Sequence, residues 1–474
     1  MIGVRDSSAL LPFIHLFKTP QSFYFYDVNR NESVKIEESV YETLLSEQKF
    51  VEESCDALVL DKLKNLKAQG YLKTNRPKVL RHPETDNLSL YLERNLNLMI
   101  LQLTQSCNFR CSYCPYSQEA GLTRKHTEKH MSWNTAKQAI DFLYLHSVDS
   151  SSISIAFYGG EPLVNFQLLK QCVEYVHSNF DGKEQIFSIT TNGTLFDQEI
   201  CTFLEIENFS VTVSLDGVRE TNDRNRKFRS NADKSTFDVV IENLKLISEQ
   251  YSKLFKNISI NMVMDPSIPF AEYKNLMSEY PFLRKTLINA VVIDDTLSKE
   301  KNMYSFEFQE QYTYDLFLSY LLSVGKYDFI EELTLMRRII GSNVRLFTTQ
   351  ATDETLGEIN IPSGPCIPAK HRMFVDVNGD IFPCEKVSEA AFNTIGNIYN
   401  GFNLEKASAV LNYANISFEE CRNCFAFREC DSCVRLCING MDGDQAERIK
   451  NCEYIRSNTH RNLVLRAIHR EFFY

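Results

Sequence analysis

No stretch of this 474-residue chain approaches the roughly 20 consecutive apolar residues that a membrane span requires. The opening segment MIGVRDSSALLPFIHLF lacks the basic start, apolar run and small-residue cleavage site of a secretory signal. The expectation is a cytoplasmic protein with no membrane partner, whose 14 cysteines stay reduced. Basic charge is in deficit: 51 Lys and Arg stand against 62 Asp and Glu, a net charge of -11. That excludes the basic field a non-specific nucleic-acid surface needs. Internal repeats and low-complexity tracts are missing too. One further absence is local. The stretch CNFRCSYC puts thiols at Cys107, Cys111 and Cys114, with no fourth nearby. A structural zinc site closes with four ligands, so three thiols leave an open position.

The chain divides by pattern. SFYFYDV is aromatic and strand-like, NRNES is a turn, and VKIEESVYETLL continues as a strand and then a helix. CDALVLDKLKNLKAQGYL has helical apolar spacing and is stopped by Gly70. Residues 1–80 thus read as a small winged-helix-like module, followed by a connector. Residues 95–300 then alternate strand and helix, from NLNLMILQLT to NISINMVM, which implies an α/β fold with a parallel sheet. In barrels of that kind chemistry sits on the loops after the strand C-terminal ends. Residues 301–360 form an aromatic, helical bridge, residues 361–460 are rich in cysteine, and 461–474 is a terminal helix. NGD between MFVDV and IFPC is a hairpin signal.

Three thiolates on one loop can hold three irons of a cubane and leave the fourth iron open to a small ligand. The spacing Cys107-x3-Cys111-x2-Cys114, with Tyr113 before the last cysteine, resembles the signature of radical S-adenosylmethionine (SAM) enzymes. The resemblance implies a partial (β/α)6 TIM-type barrel in which the open iron binds S-adenosylmethionine. Reductive cleavage of that cofactor gives a 5'-deoxyadenosyl radical, which abstracts hydrogen from substrate. It further implies cofactor contacts from Gly159, Gly160, Glu161 and Pro162, from Thr191 and Asn192, from Ser214 and Asp216, and from Tyr113. Arg226 stands where the family pairs the methionyl carboxylate, and INMVM would offer backbone edges to adenine. Relatives often carry His-Asp before that arginine; here the pair is Asn222-Asp223.

The second cysteine field holds Cys366, Cys384, Cys421, Cys424, Cys430, Cys433, Cys437 and Cys452. Eight thiolates suffice for two fully ligated cubanes or for two zinc sites, and spacing alone leaves both open. The run resembles the SPASM domain, which implies two auxiliary clusters and three 4Fe-4S clusters in all. Its spacing departs from the family at Cys433. The expected partition is Cys366, Cys384, Cys433 and Cys437 for one cluster, and Cys421, Cys424, Cys430 and Cys452 for the other. Cys55, Cys172 and Cys201 lie in helical patterns among apolar neighbours and read as core.

The front module resembles the peptide-recognition element of peptide maturases, which adds an extended leader to a sheet edge. The whole chain is similar to radical SAM/SPASM maturases of ribosomally made peptides. CNFRCSYCPYS, FYGGEPL and FVDVNGDIFPCEK resemble the thioether-forming, ranthipeptide-type group most. The likeness implies a Cys-containing precursor peptide with a leader as substrate and a flavodoxin- or ferredoxin-type electron donor. Other outcomes are a carbon–carbon crosslink, formylglycine formation in a sulfatase, or, from another class, a zinc-stapled interaction protein without catalysis. The nine histidines carry no assigned role, and no catalytic residue is assigned.

Overall fold

The computed structural model describes residues 11–46, 56–114, 116, 124–180, 182–295, 301–328, 331–348, 355–362, 365–389, 391–436, 449 and 451–473. Six parallel strands form its centre: β4 (Leu98–Thr104), β5 (Ser152–Gly159), β6 (Glu184–Thr191), β7 (Ser210–Ser214), β8 (Ile258–Met264) and β9 (Leu287–Val292). They lie side by side in chain order, each paired in parallel with the next. Between them run α3 (Trp133–Leu145), α4 (Phe166–Asn179), α5 (Gln198–Ile206) and α6 (Thr236–Gln250). α7 (Phe270–Glu279) precedes β9. Every residue of β4 after Leu98 is buried, as a strand covered on both faces requires. Ser132 caps α3 by accepting from Thr135 N at 3.0 Å. Cys172 and Cys201 are fully buried on α4 and α5, as expected of core thiols, while Cys55 lies outside the described residues. This is the expected α/β partial barrel.

The cysteine-rich segment extends the same sheet. β10 (Met373–Val375) pairs in parallel with β4, and β11 (Asp380–Phe382) returns antiparallel to it. The NGD turn between them uses Gly379 at φ 92°, a left-handed conformation that suits glycine. The cysteine-rich segment expected from 361 thus shares one sheet with the barrel segment expected over 95–300. The last helix, α10, runs from Cys452 to Phe473, so the boundary expected at 461 falls inside it. α8 (Phe306–Ser323) and α9 (Arg337–Thr348) make the bridge.

In front, β1 (Ile14–Lys18), β2 (Phe23–Asp27) and β3 (Glu32–Ile36) form an antiparallel sheet in that order, followed by α1 (Glu38–Ser46) and α2 (Ala57–Ala68). β1 was not read from the sequence. One face of the sheet packs on α1 and α2 through Phe25, Val40, Val59 and Leu63. The other, with Phe17, Tyr24 and Tyr26, joins Cys421, Phe427 and Leu463 of α10 in a second core. Among the described residues no helix is long and apolar enough to cross a membrane.

Candidate functional site

The loop after β4 brings Cys107, Cys111 and Cys114 into one apolar pocket with Phe109, Tyr113 and Phe228. A segment after β7 clamps it. Arg110 N donates to Lys227 O at 2.8 Å, Ser112 N to Asn225 O at 3.0 Å, and Arg229 N to Asn108 O at 2.8 Å. Phe109 and Phe228 meet edge to face at 5.0 Å. Burial pushes the Cys107 and Cys111 thiols up to about 12. Iron must therefore displace protons to be held there. Among the described residues no three His, Cys, Asp or Glu side chains converge on one ion. A cubane does not ask for that, because each thiolate binds its own iron. Three soft donors on one clamped, apolar loop fit the open-iron cluster.

The glycines of the β5 loop meet protein backbone. A Cβ on Gly159 would lie 2.2 Å from Thr104 O, and one on Gly160 would lie 2.2 Å from Ser106 O. Gly160 N donates to Thr104 O at 2.8 Å and Glu161 N to Ser106 O at 3.0 Å. The pair thus seats the β5 loop against the residues that lead into Cys107. Glu161 is buried and ties two loops: its carboxylate accepts from Thr191 Oγ1 at 2.7 Å, Asn192 N at 2.7 Å and Leu163 N at 3.1 Å. Burial raises its pKa to about 7, against those hydrogen bonds. Pro162 opens the short 3-10 turn that follows. Asn192 in turn donates to Asn108 Oδ1 at 2.7 Å, and Asn108 donates to Thr194 Oγ1 at 2.9 Å.

Asp216 is the hub of the next loop. It accepts from Arg226 Nε at 2.8 Å, from Val263 N at 2.9 Å and from the Tyr113 hydroxyl. Asp216 and Arg226 are both buried, so the guanidinium expected to meet a cofactor carboxylate already has one protein carboxylate. The Val263 N–H, one of the backbone edges expected for adenine, is spent on Asp216. Ser214 sits half-buried at the end of β7. Asn222, in place of the relatives' histidine, accepts from Asp216 N at 3.1 Å and donates to Thr236 Oγ1 at 2.9 Å, a structural task.

In the second field, Cys384 and Cys433 both border the barrel core, and the Cys433 thiol helps raise that of Cys384 after burial has done so. Cys366 is exposed. Cys421 belongs to the second core, with its sulfur 3.4 Å from Ser417 Oγ. Cys424 follows one turn on, raised by burial and eased by Arg456 of α10, the helix that Cys452 begins. Cys430 is half-buried. Cys437 lies outside the described residues. Cys384 and Cys433 thus border the barrel core, and Cys421 lies in the second core.

Sequence reasoning missed Asn108, Phe109 and Phe228, and a buried polar group around Gln102. Gln102 Nε2 donates to Tyr116 Oη at 2.8 Å and to Glu389 Oε1 at 3.0 Å, and Val377 N donates to Gln102 Oε1 at 3.1 Å. A glutamine inside the apolar run LMILQLT was the available signal, since a buried amide needs partners.

Comparison with known proteins agrees with this geometry. Residues 101–279 match the family model described as the Radical SAM superfamily, and they constitute a radical SAM domain. The chain is 36% identical over 142 residues to an uncharacterised protein of Methanocaldococcus jannaschii, covering 30% of this chain and 46% of that one. It thus spans about half the length of that relative. It is 25% identical over 381 residues to a cysteine-type anaerobic sulfatase-maturating enzyme of Clostridium perfringens, covering 76% of this chain and 94% of the relative. The solved structure described as native anSMEcpe with bound AdoMet and Cp18Cys peptide matches with a TM-score of 0.53 at 22% identity, over 78% of this chain and 99% of that one. That likeness establishes the fold. The family implies a 4Fe-4S cluster and S-adenosylmethionine, and the donor set at Cys107, Cys111 and Cys114 fits the cluster.

Proposed function

We propose that this chain is a radical SAM enzyme that modifies a ribosomally synthesised precursor peptide, forming thioether crosslinks at cysteine. The observation that carries the reading is the clamped three-thiol loop at the strand ends of the radical SAM domain, with a second group of cysteines on the segment whose strand β10 pairs with β4. When bound there, the cluster and S-adenosylmethionine supply a radical that takes a hydrogen atom from substrate. Gly159 and Gly160 set the height of the cluster loop. Glu161 holds the β5 and β6 loops together. Asp216 orients Arg226 and Tyr113, with the remaining guanidinium nitrogens of Arg226 available to a cofactor carboxylate.

Crosslinking breaks one C–H and one S–H bond and makes one C–S bond. That is a net two-electron oxidation, whose electrons two clusters held by Cys366, Cys384, Cys421, Cys424, Cys430, Cys433, Cys437 and Cys452 could accept and two redox-inert zinc sites could not. A flavodoxin- or ferredoxin-type donor would deliver the reducing electron. The front sheet supports a peptide substrate. β2 lies between β1 and β3, and β3 has no second strand neighbour among the described residues. An extended leader can add to that edge, which raises the local concentration of the segment to be modified.

A second reading, formylglycine formation in a sulfatase, is favoured by the coverage of the Clostridium perfringens relative. One experiment separates them. Anaerobically reconstituted enzyme is given S-adenosylmethionine, reductant and either the short Cys-containing peptide encoded beside its gene or a sulfatase-derived Cys peptide. Peptide mass is then read before and after thiol alkylation. Loss of two hydrogens per crosslink, with thiols that no longer alkylate, supports the thioether. Conversion of the sulfatase peptide alone supports formylglycine. No change in either peptide overturns both.

A further inference from the structure

Three stretches of chain that lie far apart in sequence meet around a cavity of about 340 Å³. They are the connector after α2, the segment just ahead of Ile359, and the short helix Phe418–Arg422 with the residue after it. Val79 and Leu80 of the connector pair in parallel with Ile359 and Asn360, and Arg76 Nε donates to Asn423 Oδ1 at 3.3 Å. The cavity opens to solvent: Thr74, Asn75, Gly357 and Asn423 on its wall are all exposed. Its volume falls at the low end of the ~300–1,000 Å³ of small-molecule sites.

Charge on the wall does not balance. Arg76, Lys78 and Arg422 stand against Glu358 and Glu419. Lys78 Nζ pairs with Glu358 Oε1 at 2.6 Å, and Arg422 Nη1 lies 3.5 Å from Glu419 Oε1. Among the described residues no carboxylate pairs with Arg76, whose bonds go to Leu11 O, Thr74 O and Asn423 Oδ1. Arg422 makes no hydrogen bond among the described residues, and its side chain is 28% exposed. Burial, and then the charge of Arg422, lower the Arg76 pKa, so the two guanidiniums stand within electrostatic reach of each other. Like charges brought together cost free energy that an anion between them recovers.

We propose that this cavity is a carboxylate-binding site, in which one carboxylate bridges Arg76 and Arg422. Guanidinium forks match the two oxygens of a carboxylate. One negative charge completes the wall's three cations and two anions, and a doubly charged oxyanion overshoots it. Arg422 directly follows Cys421, and Asn423 directly precedes Cys424. A carboxylate held here therefore fastens the connector of the front module to the segment that carries both cysteines. The carboxylate has two sources, an acidic side chain of a bound peptide or a free small acid. The first rests on the peptide-modifying reading above; the site itself does not.

Acetate is the probe and acetamide its neutral isostere. Each is titrated into the anaerobically reconstituted enzyme at constant ionic strength while the melting temperature is read. Acetate should raise the melting temperature saturably, as a ligand of the folded state does, and acetamide should not. Arg422→Gln removes a guanidinium that makes no hydrogen bond among the described residues. It should raise the acetate concentration for half the effect roughly tenfold to a hundredfold, the span expected of a hydrogen bond to a charged donor. The contrast between acetate and acetamide is read on wild type, so it stands even where the variant folds badly. No acetate response in wild type, the same response in Arg422→Gln, or a stronger response to inorganic phosphate overturns the proposal. The source is read with a fluorescein-labelled copy of whichever peptide wild type modifies in the assay above, each Asp and Glu replaced singly by Asn or Gln. One position that weakens binding to wild type and makes no difference to Arg422→Gln supports the site with the peptide as source. No such position, with the acetate response intact, supports it with a free acid. If wild type modifies no peptide, the functional reading fails, and the acetate titration still decides this one.

Discussion

Replacing Gly160 by alanine tests how the radical-site loop is supported. The new Cβ would sit 2.2 Å from Ser106 O and 2.6 Å from Ser106 C. An ordinary C···O contact is about 3.3 Å, so two backbones must part by about 1 Å. The displacement breaks Gly160 N to Thr104 O and Glu161 N to Ser106 O, about 1 kcal/mol each. Overpacking adds about 1–3 kcal/mol. The sum, about 3–5 kcal/mol, should lower the barrel's melting temperature by roughly 6–20 °C. Because Ser106 adjoins Cys107, iron bound after anaerobic reconstitution should fall as well. The control is Gly341→Ala on α9, where a Cβ meets nothing within 4 Å. That change should be neutral or stabilising by up to about 1 kcal/mol. Scanning fluorimetry and iron analysis on both variants decide. A Gly160→Ala protein that melts and binds iron like wild type would refute the claim that these glycines exist for backbone contact.

Phe109→Ala removes the ring that seals the thiol pocket and should cost about 3–5 kcal/mol by denaturant titration, with lower iron content. Asp216→Asn leaves buried Arg226 without its anion and should destabilise by about 3–5 kcal/mol in the same assay. His15 stacks on Phe425 at 3.6 Å and meets His460 Nδ1 at 2.9 Å, and burial, then His460, lower its pKa to about 4. The unfolded chain then binds more protons between about pH 6.5 and 4, so stability falls on acidification across that window. The loss is at most about 3 kcal/mol, and His15→Phe should flatten it in melts taken from pH 7 to pH 4. Cys384→Ala and Cys421→Ala should each lower bound iron by about four atoms per chain if they serve separate clusters. A zinc content that replaces iron in wild type would contradict the redox assignment.

The barrel was legible because its signals are local. Each strand is an apolar run, each helix has a periodic face, and the cysteines, glycines and TTNGT turn all fall at strand ends. The roles of single residues were less legible, because they depend on what the fold brings alongside. FYGGEP suggests glycines facing a ligand, whereas Thr104 and Ser106, far off in sequence, are what crowd them. Asp216 looks like a cofactor contact until Arg226, Tyr113 and Val263 all turn out to bond to it. Arg76 had no motif around it. Its meaning comes from Arg422, far later in the chain.

The two ends of the chain also have a joint consequence that no segment shows alone. Glu471 of α10 accepts from Thr19 Oγ1 at 2.9 Å and Tyr24 Oη at 2.8 Å. Arg466 of the same helix grips Glu429 at 2.9 and 3.1 Å, and Arg428 donates to Val28 O and Asn29 O at 3.2 and 3.1 Å. The segment between Cys421 and Cys430 is therefore held from one side by the front sheet and from the other by the last helix. The same sheet offers the β3 edge, two strands away from β1, which touches α10. A leader seated on that edge would bear on a body that includes the second cysteine field, because Phe17, Tyr24, Tyr26 and Cys421 share one core. The front module thus shares a core with Cys421 of that field. On the proposed assignment of a cluster to Cys421, deleting the front module should lower the iron bound after reconstitution as well as peptide affinity, an outcome a tethered, independent recognition domain would not produce.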